Sequence, residues 1–242
     1  MYHALLLDLD DTLLGNQADT FIPAYFNALG RALAHLVPPD DLLQMVYQAS
    51  RYMEANDGSG TTTQEAFATA FKPVNGLTWR ELKPQFMRFY REDFPKLRSV
   101  TQPRPAARHL IAWANQQAID VVIATNPFFP RIAVEERLAW AGIPVTEFDY
   151  ALVTTYENML ATKAHPAYYH QVIEHLGLAP ETCLMAGDDW ELDIVQAERA
   201  GLATYWIADP AATHPTPHAS PVGQGHLSDL WDGIQEGTIL FT

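Results

Sequence analysis

The feature that most constrains this 242-residue chain is a recurring unit: a short apolar run, an abrupt polar stop, then a helix-like pattern. The runs are Ala4 to Leu9, Ile119 to Ala124, Thr182 to Ala186 and Ala203 to Ile207, with a weaker fifth at Tyr150 to Val153. Helical patterns cover Ala106 to Gln116, Arg131 to Ala141, Pro166 to Leu176 and Trp190 to Ala200, and Gly177 and Gly201 stop the last two. Alternating strand and helix implies an α/β fold with a mainly parallel sheet, because a parallel neighbour is reached only through a crossover. In such sheets ligands bind beyond the carboxyl ends of the strands, so the residues that stop the apolar runs are the first candidates for chemistry.

Residues 16–99 read differently, with helical periodicity and no convincing strand. Candidate helices are Ile22 to Leu36, Asp40 to Glu54, Thr63 to Phe71 and Trp79 to Phe94, joined by turn-rich pieces such as Val37-Pro38-Pro39 and Asn56-Asp57-Gly58-Ser59-Gly60. This pattern divides the chain into an α/β core, 1–15 and 100–242, and a helical insert, 16–99. Asp209 to Pro221 reads as a surface loop before a final helix at Leu227 to Gln235.

Charge removes several classes of partner. With 29 acidic against 15 basic residues, a net charge of −14 and no polybasic stretch, the chain is unsuited to nucleic acid or to an anionic membrane surface. No apolar stretch approaches the roughly 20 residues that span a bilayer, and the start lacks the charged lead of a secretory signal. Cys183 stands alone, which excludes an internal disulfide and makes a reducing, cytoplasmic setting the expectation.

The first run ends Leu7-Asp8-Leu9-Asp10-Asp11-Thr12, and extended backbone points residues two apart the same way, so Asp8 and Asp10 are expected to converge. Two close carboxylates repel unless a cation or proton lies between them, and a hard divalent ion such as Mg²⁺ suits oxygen ligands. A second acidic cluster follows another run, as Gly187-Asp188-Asp189-Trp190-Glu191-Leu192-Asp193. The dipole of a starting helix accounts for Asp189 and Glu191 but not for a Gly-Asp pair at a strand end with Asp193 five positions on. A third run ends Thr125-Asn126-Pro127, a hydroxyl and an amide with a proline suited to open a helix. Lys163 precedes a further helix.

Taken together these residues resemble the ordered motifs of the haloacid dehalogenase-like hydrolase superfamily. Asp8, Asp10 and Thr12 match Asp-x-Asp-x-Thr, Thr125 the strand-terminal Thr or Ser, Lys163 the lysine before a helix, and Gly187, Asp188 and Asp193 the pattern Gly-Asp-x-x-x-x-Asp. The resemblance implies a Rossmann-like core with a helical C1 cap inserted after the first strand, where residues 16–99 lie. It also implies a Mg²⁺-dependent phosphomonoesterase of small phosphorylated metabolites, with Asp8 as nucleophile through an aspartyl-phosphate and Asp10 as general acid and base. Asp8, the Asp10 backbone carbonyl and Asp188 would bind the metal, Asp189 and Asp193 would support it, and Thr125, Asn126 and Lys163 would hold the phosphoryl oxygens. Pro127-Phe128-Phe129 departs from the glycine-containing turn common in the family at that point. The alternatives are a phosphomutase acting on a sugar phosphate and a non-catalytic binding or regulatory protein of the same fold.

Overall fold

A computed structural model describes residues 1–215 and 218–241 of the chain; positions 216 and 217 of the expected surface loop lie outside the described residues. Five strands follow the five apolar runs: β1 (Ala4–Leu7), β4 (Asp120–Ile123), β5 (Leu152–Val153), β6 (Cys183–Gly187) and β7 (Ala203–Ile207). With β8 (Gly223–Gly225) they form a parallel sheet ordered β5-β4-β1-β6-β7-β8. β1 is central, pairing Leu7 with Ile123 on one side and with Ala186 on the other, so three of the polar stops emerge side by side at one sheet edge.

Both faces of the sheet are covered, which is why its strands read as unbroken apolar runs. Leu5, Leu7, Val121, Ile123, Leu184 and Ala186 pack into one core cluster, and Ala4, Leu6, Val122, Cys183 and Met185 into a second on the opposite face. Helices α5 (Pro105–Gln116), α6 (Arg131–Trp140) and α9 (Leu227–Gln235) contribute to the first cluster; α7 (Pro166–Leu176) and α8 (Gln196–Arg199) contribute to the second. Cys183 is buried there as a packing residue.

Between β1 and α5 the chain forms α1 (Ala18–Leu33), α2 (Pro39–Glu54), α3 (Thr63–Ala70), α4 (Trp79–Glu92) and a tight helical turn at Phe94–Val100. A two-stranded antiparallel ribbon, β2 (Leu14–Gly15) with β3 (Gln102–Pro103), joins the points where the chain enters and leaves this helical region. An aromatic seam fills its interior and its contact with the sheet layer: Tyr25 packs on Phe89, Phe94 and Phe129, and Phe94 stacks on Trp140. α3 begins with a reciprocal cap, since Thr62 Oγ1 accepts from the Glu65 amide and Glu65 accepts from the Thr62 amide. The loop before it is tied to the segment ahead of Lys163: the Gly58 amide donates to the Leu160 carbonyl and the Thr162 amide to the Asn56 carbonyl.

Three local features differ from the sequence expectation. β8 has the sequence Gly-Gln-Gly, which carries no apolar signal, and forms only by addition to β7. The expected helix at Trp190 opens instead as a wide turn, Trp190–Val195, before tightening into α8. Pro127 does not open a helix; a turn with the Phe128 amide donating to the Asn126 carbonyl intervenes, and α6 starts at Arg131 behind Pro130. Among the described residues no helix is long and apolar enough to cross a membrane.

Candidate active site

The cleft beyond β1, β4 and β6 is lined by Asp8, Asp10, Thr125, Asn126, Lys163, Asp188, Asp189 and Asp193, with Ile22, Phe21 and Phe129 as its apolar wall and a volume of about 240 Å³. Every residue proposed for the site from sequence therefore reaches one cavity. Their arrangement within it is not uniform.

Lys163 is the hub. Its side chain is buried, and Nζ donates to Asp8 Oδ1 at 2.5 Å and to Asp193 Oδ1 at 2.6 Å. Burial alone would lower the Lys163 pKa, but the Asp193 and Asp8 carboxylates outweigh it and hold the ammonium charged. Asp193 is positioned from its other oxygen by the Asp189 amide at 3.1 Å. Gly187 makes this possible: a Cβ there would overlap the Asp193 carboxylate, so the glycine is a packing requirement and not a turn requirement.

Asp8, Asp188 and Asp193 each bring a carboxylate oxygen within 4.8 Å of the others. With all three ionised, three carboxylates against one ammonium would leave two uncompensated negative charges. The electrostatics carry that excess: burial, followed by the Asp193 charge, pushes the Asp188 carboxyl up to about 7 despite a bond from Thr12 Oγ1 at 3.1 Å. Asp8 is likewise raised well above the usual carboxylate range, first by burial, with Lys163 opposing and the neighbouring carboxylates adding to it. A clustered, all-oxygen, net-negative donor set fits a hard divalent cation.

Asp10 and Asp189 stand apart from that trio. Asp189 Oδ1 accepts from the amides of Glu191 and Leu192, both at 2.9 Å, and so caps the wide turn. The Asp10 carboxylate lines the same cleft as Asp8, and its charge adds to the upward push on the Asp8 carboxyl, but it is not one of the two partners of Lys163 Nζ. Instead Asn16 Nδ2 donates to Asp10 Oδ1 at 2.6 Å, and Arg137 Nη1 pairs with Oδ2. Asn16 is itself locked by reciprocal bonds with Asp11, its amide to Asp11 Oδ1 and the Asp11 amide to its Oδ1.

Arg137 and Asn16 were not among the sequence candidates. Arg137 is fully buried on α6, its guanidinium lies 4.5 Å from the centre of the Phe129 ring, and Nη2 has no hydrogen-bond partner among the described residues. The signal available in the sequence was an arginine on the apolar stripe formed by Ala133, Val134, Leu138 and Ala141, a position that rarely carries a charge without a paired function.

Thr125 is buried, and its carbonyl accepts from Thr154 Oγ1 at 2.7 Å and Tyr168 OH at 3.0 Å, which fixes the end of β4. Asn126 Oδ1 accepts from the Lys163 amide at 3.3 Å and ties that strand end to the lysine segment.

Comparison with known proteins agrees with this architecture. The family model for haloacid dehalogenase-like hydrolases matches residues 2–201, and the chain belongs to that family of hydrolases. No curated protein matches the chain. Among solved structures, a phosphatase of the family from Thermococcus onnurineus is 20% identical with a TM-score of 0.57, the alignment covering 96% of this chain and 97% of that one. A protein described as a predicted phosphoglycolate phosphatase from Haemophilus somnus is 19% identical at 0.57, covering 96% and 97%. A 2-haloacid dehalogenase from Pseudomonas syringae is 17% identical at 0.65, covering 98% and 100%. At such identities the likeness is one of fold. It spans two chemistries, and the site residues must discriminate between them.

Proposed function

We propose that this hydrolase is a divalent-metal-dependent phosphomonoesterase, with Mg²⁺ as the metal and a small phosphate ester as substrate. The observation that carries the reading is Asp10, a second carboxylate two residues beyond Asp8, opening onto the same cleft and clamped by Asn16 and Arg137. Hydrolysis of a phosphate ester must protonate a leaving alkoxide and then deprotonate water. Displacement of halide needs no such acid, so a chain built for dehalogenation has no reason to hold Asp10 there.

In this mechanism an Asp8 oxygen attacks phosphorus, the bond from phosphorus to the ester oxygen breaks, and the departing alcohol takes a proton from Asp10. Asp10 then removes a proton from water as that water attacks the aspartyl-phosphate. The Asp8 to phosphorus bond breaks, inorganic phosphate leaves, and Asp8 and the Asp10 proton are restored. Asp8, the Asp10 backbone carbonyl and Asp188 would hold the metal, with Asp193 supporting it. The metal supplies charge neutralisation for an anionic substrate beside several carboxylates. Lys163 stays charged through the cycle and, with Thr125 and the Asn126 amide, holds phosphoryl oxygens. Asp189 contributes by fixing the turn that presents Asp193. Residues 16–99 act as a cap over the cleft, with Ile22 from α1 in its wall.

The test is phosphate release by the purified protein with Mg²⁺ from a generic aryl phosphate and a panel of phosphorylated metabolites. Release that disappears in Asp10→Ala supports the reading, and no phosphate release from any of them, with halide released from a 2-haloacid offered in parallel, overturns it. A phosphomutase would interconvert phosphate isomers without net phosphate release in the same assay.

A further inference from the structure

A second cavity adjoins the catalytic cleft, and its chemistry bears on what the substrate carries besides phosphate. It has a volume of about 140 Å³ and shares Ile22 and Phe129 with the cleft as common walls. Its other sides come from all four helices of the insert, among them Val46, Phe67, Trp79 and Phe86, and from the turn after β4. None of its lining residues is Asp, Glu, Lys, Arg or His. The polar side-chain groups among its lining residues are the hydroxyls of Ser50 and three tyrosines and the indole N–H of Trp79, and the Tyr25 and Tyr90 hydroxyls already bond each other at 2.8 Å.

We propose that this cavity is the leaving-group site and that the substrate is a phosphate ester of an apolar alcohol about one aromatic ring in size. The proposal rests on the phosphomonoesterase reading and specifies its substrate class. An apolar protein cavity of about 150 Å³ takes up benzene, so the space fits a single ring or a branched alkyl group of that bulk. A sugar or glycerol moiety would lose its water at four or more hydroxyls against walls with almost nothing to bond them. A charged moiety would find no counter-ion. The shared position of Phe129 joins the two halves of the site, because the ring that walls the cavity also carries Arg137 on its face, and Arg137 holds Asp10. Asp10, the proposed proton donor to the departing oxygen, lines the phosphate cleft and is linked through Arg137 to the ring that both spaces share.

The experiment compares two esters whose leaving alcohols have similar basicity, benzyl phosphate and glycerol phosphate, on the intact protein with Mg²⁺. In parallel, direct binding of benzylphosphonate and methylphosphonate is measured in the wild type and in Val46→Trp, which fills the cavity from α2. Burying a phenyl group corresponds to roughly a ten- to hundredfold gain, so kcat/KM is expected to favour benzyl phosphate by that factor. Benzylphosphonate should bind at least about tenfold tighter than methylphosphonate, with the difference collapsing in Val46→Trp. Equal kcat/KM for the two esters, or equal binding of the two phosphonates by the wild type, overturns the proposal; neither comparison depends on the variant folding. If neither these esters nor any of the wider phosphate-ester panel is hydrolysed, the phosphomonoesterase reading fails while the phosphonate comparison still decides the cavity's preference.

Discussion

Removing Asp10 should destabilise the fold, and by more than removing its partner Arg137. Catalytic carboxylates are ordinarily held at some cost to stability, so their deletion tends to be neutral or favourable. Here the pair is lopsided: the Arg137 side chain is 0% exposed whereas that of Asp10 is 39% exposed. Asp10→Ala leaves a fully buried guanidinium with, among the described residues, only the Ala133 carbonyl at 3.3 Å and the Phe129 ring, and with Nη2 already unpartnered. Breaking a buried ion pair from one side costs about 3–5 kcal/mol because the remaining charge is stranded. For a chain of this size that corresponds to a Tm fall of about 6–20 °C. Arg137→Met instead leaves a partly solvated carboxylate that keeps its bond from Asn16, and should cost about 1–2 kcal/mol, mainly lost stacking and pairing. The double variant should cost about 2–4 kcal/mol, less than Asp10→Ala alone, for a coupling of about 2–3 kcal/mol. Urea denaturation of the four proteins measures all of these. If Asp10→Ala is as stable as the wild type, or the double variant is additively worse, the argument from the stranded cation is wrong.

Asp8→Asn should lower turnover more than about a thousandfold while leaving the far-UV spectrum unchanged, since it removes the attacking carboxylate but keeps an amide oxygen that can accept from Lys163. Metal binding should release protons. With the Asp188 carboxyl raised to about 7 in the metal-free protein, the protonated form grows as pH falls below that value and competes with the cation. Apparent affinity for Mg²⁺ should therefore weaken from pH 8 to pH 6, by up to about a factor of ten per pH unit for one proton. Calorimetry in buffers of different ionisation enthalpy reads the released protons directly, and a pH-independent affinity would refute the coupling. Gly187→Ala should displace the Asp193 carboxylate it underlies, and weaken Mg²⁺ binding together with activity. Unchanged metal affinity in that variant would show that Asp193 tolerates the shift.

How far the sequence could be read follows from what each residue depends on. The central strands are visible because burial on both faces makes Leu5-Leu6-Leu7 or Leu184-Met185-Ala186 apolar regardless of position, whereas Gly223-Gln224-Gly225 is a strand only because β7 offers an edge. Asp8, Lys163, Asp188 and Asp193 stand at strand ends or helix starts, so local pattern points to them. The clamp on Asp10 was not legible in the same way. Arg137 lies 127 positions away on a helix whose rotation is set by packing, and Asn16 acts through a turn that depends on Asp11 adopting a positive φ. The apolar cavity was not legible either, since a space left between Trp79, Phe86 and Tyr90 has no signature in the order of the residues that surround it.

The central claim is that Asp8 becomes covalently phosphorylated. It is tested by acid-quenching the protein during turnover of a phosphate ester with Mg²⁺, reducing with borohydride, and mapping the modified peptide by mass spectrometry. The account predicts an added phosphoryl group in the quenched wild type and conversion of Asp8 to homoserine after reduction, both absent in Asp8→Asn. Phosphate release with no modification at Asp8, or with the label on another residue, would contradict it.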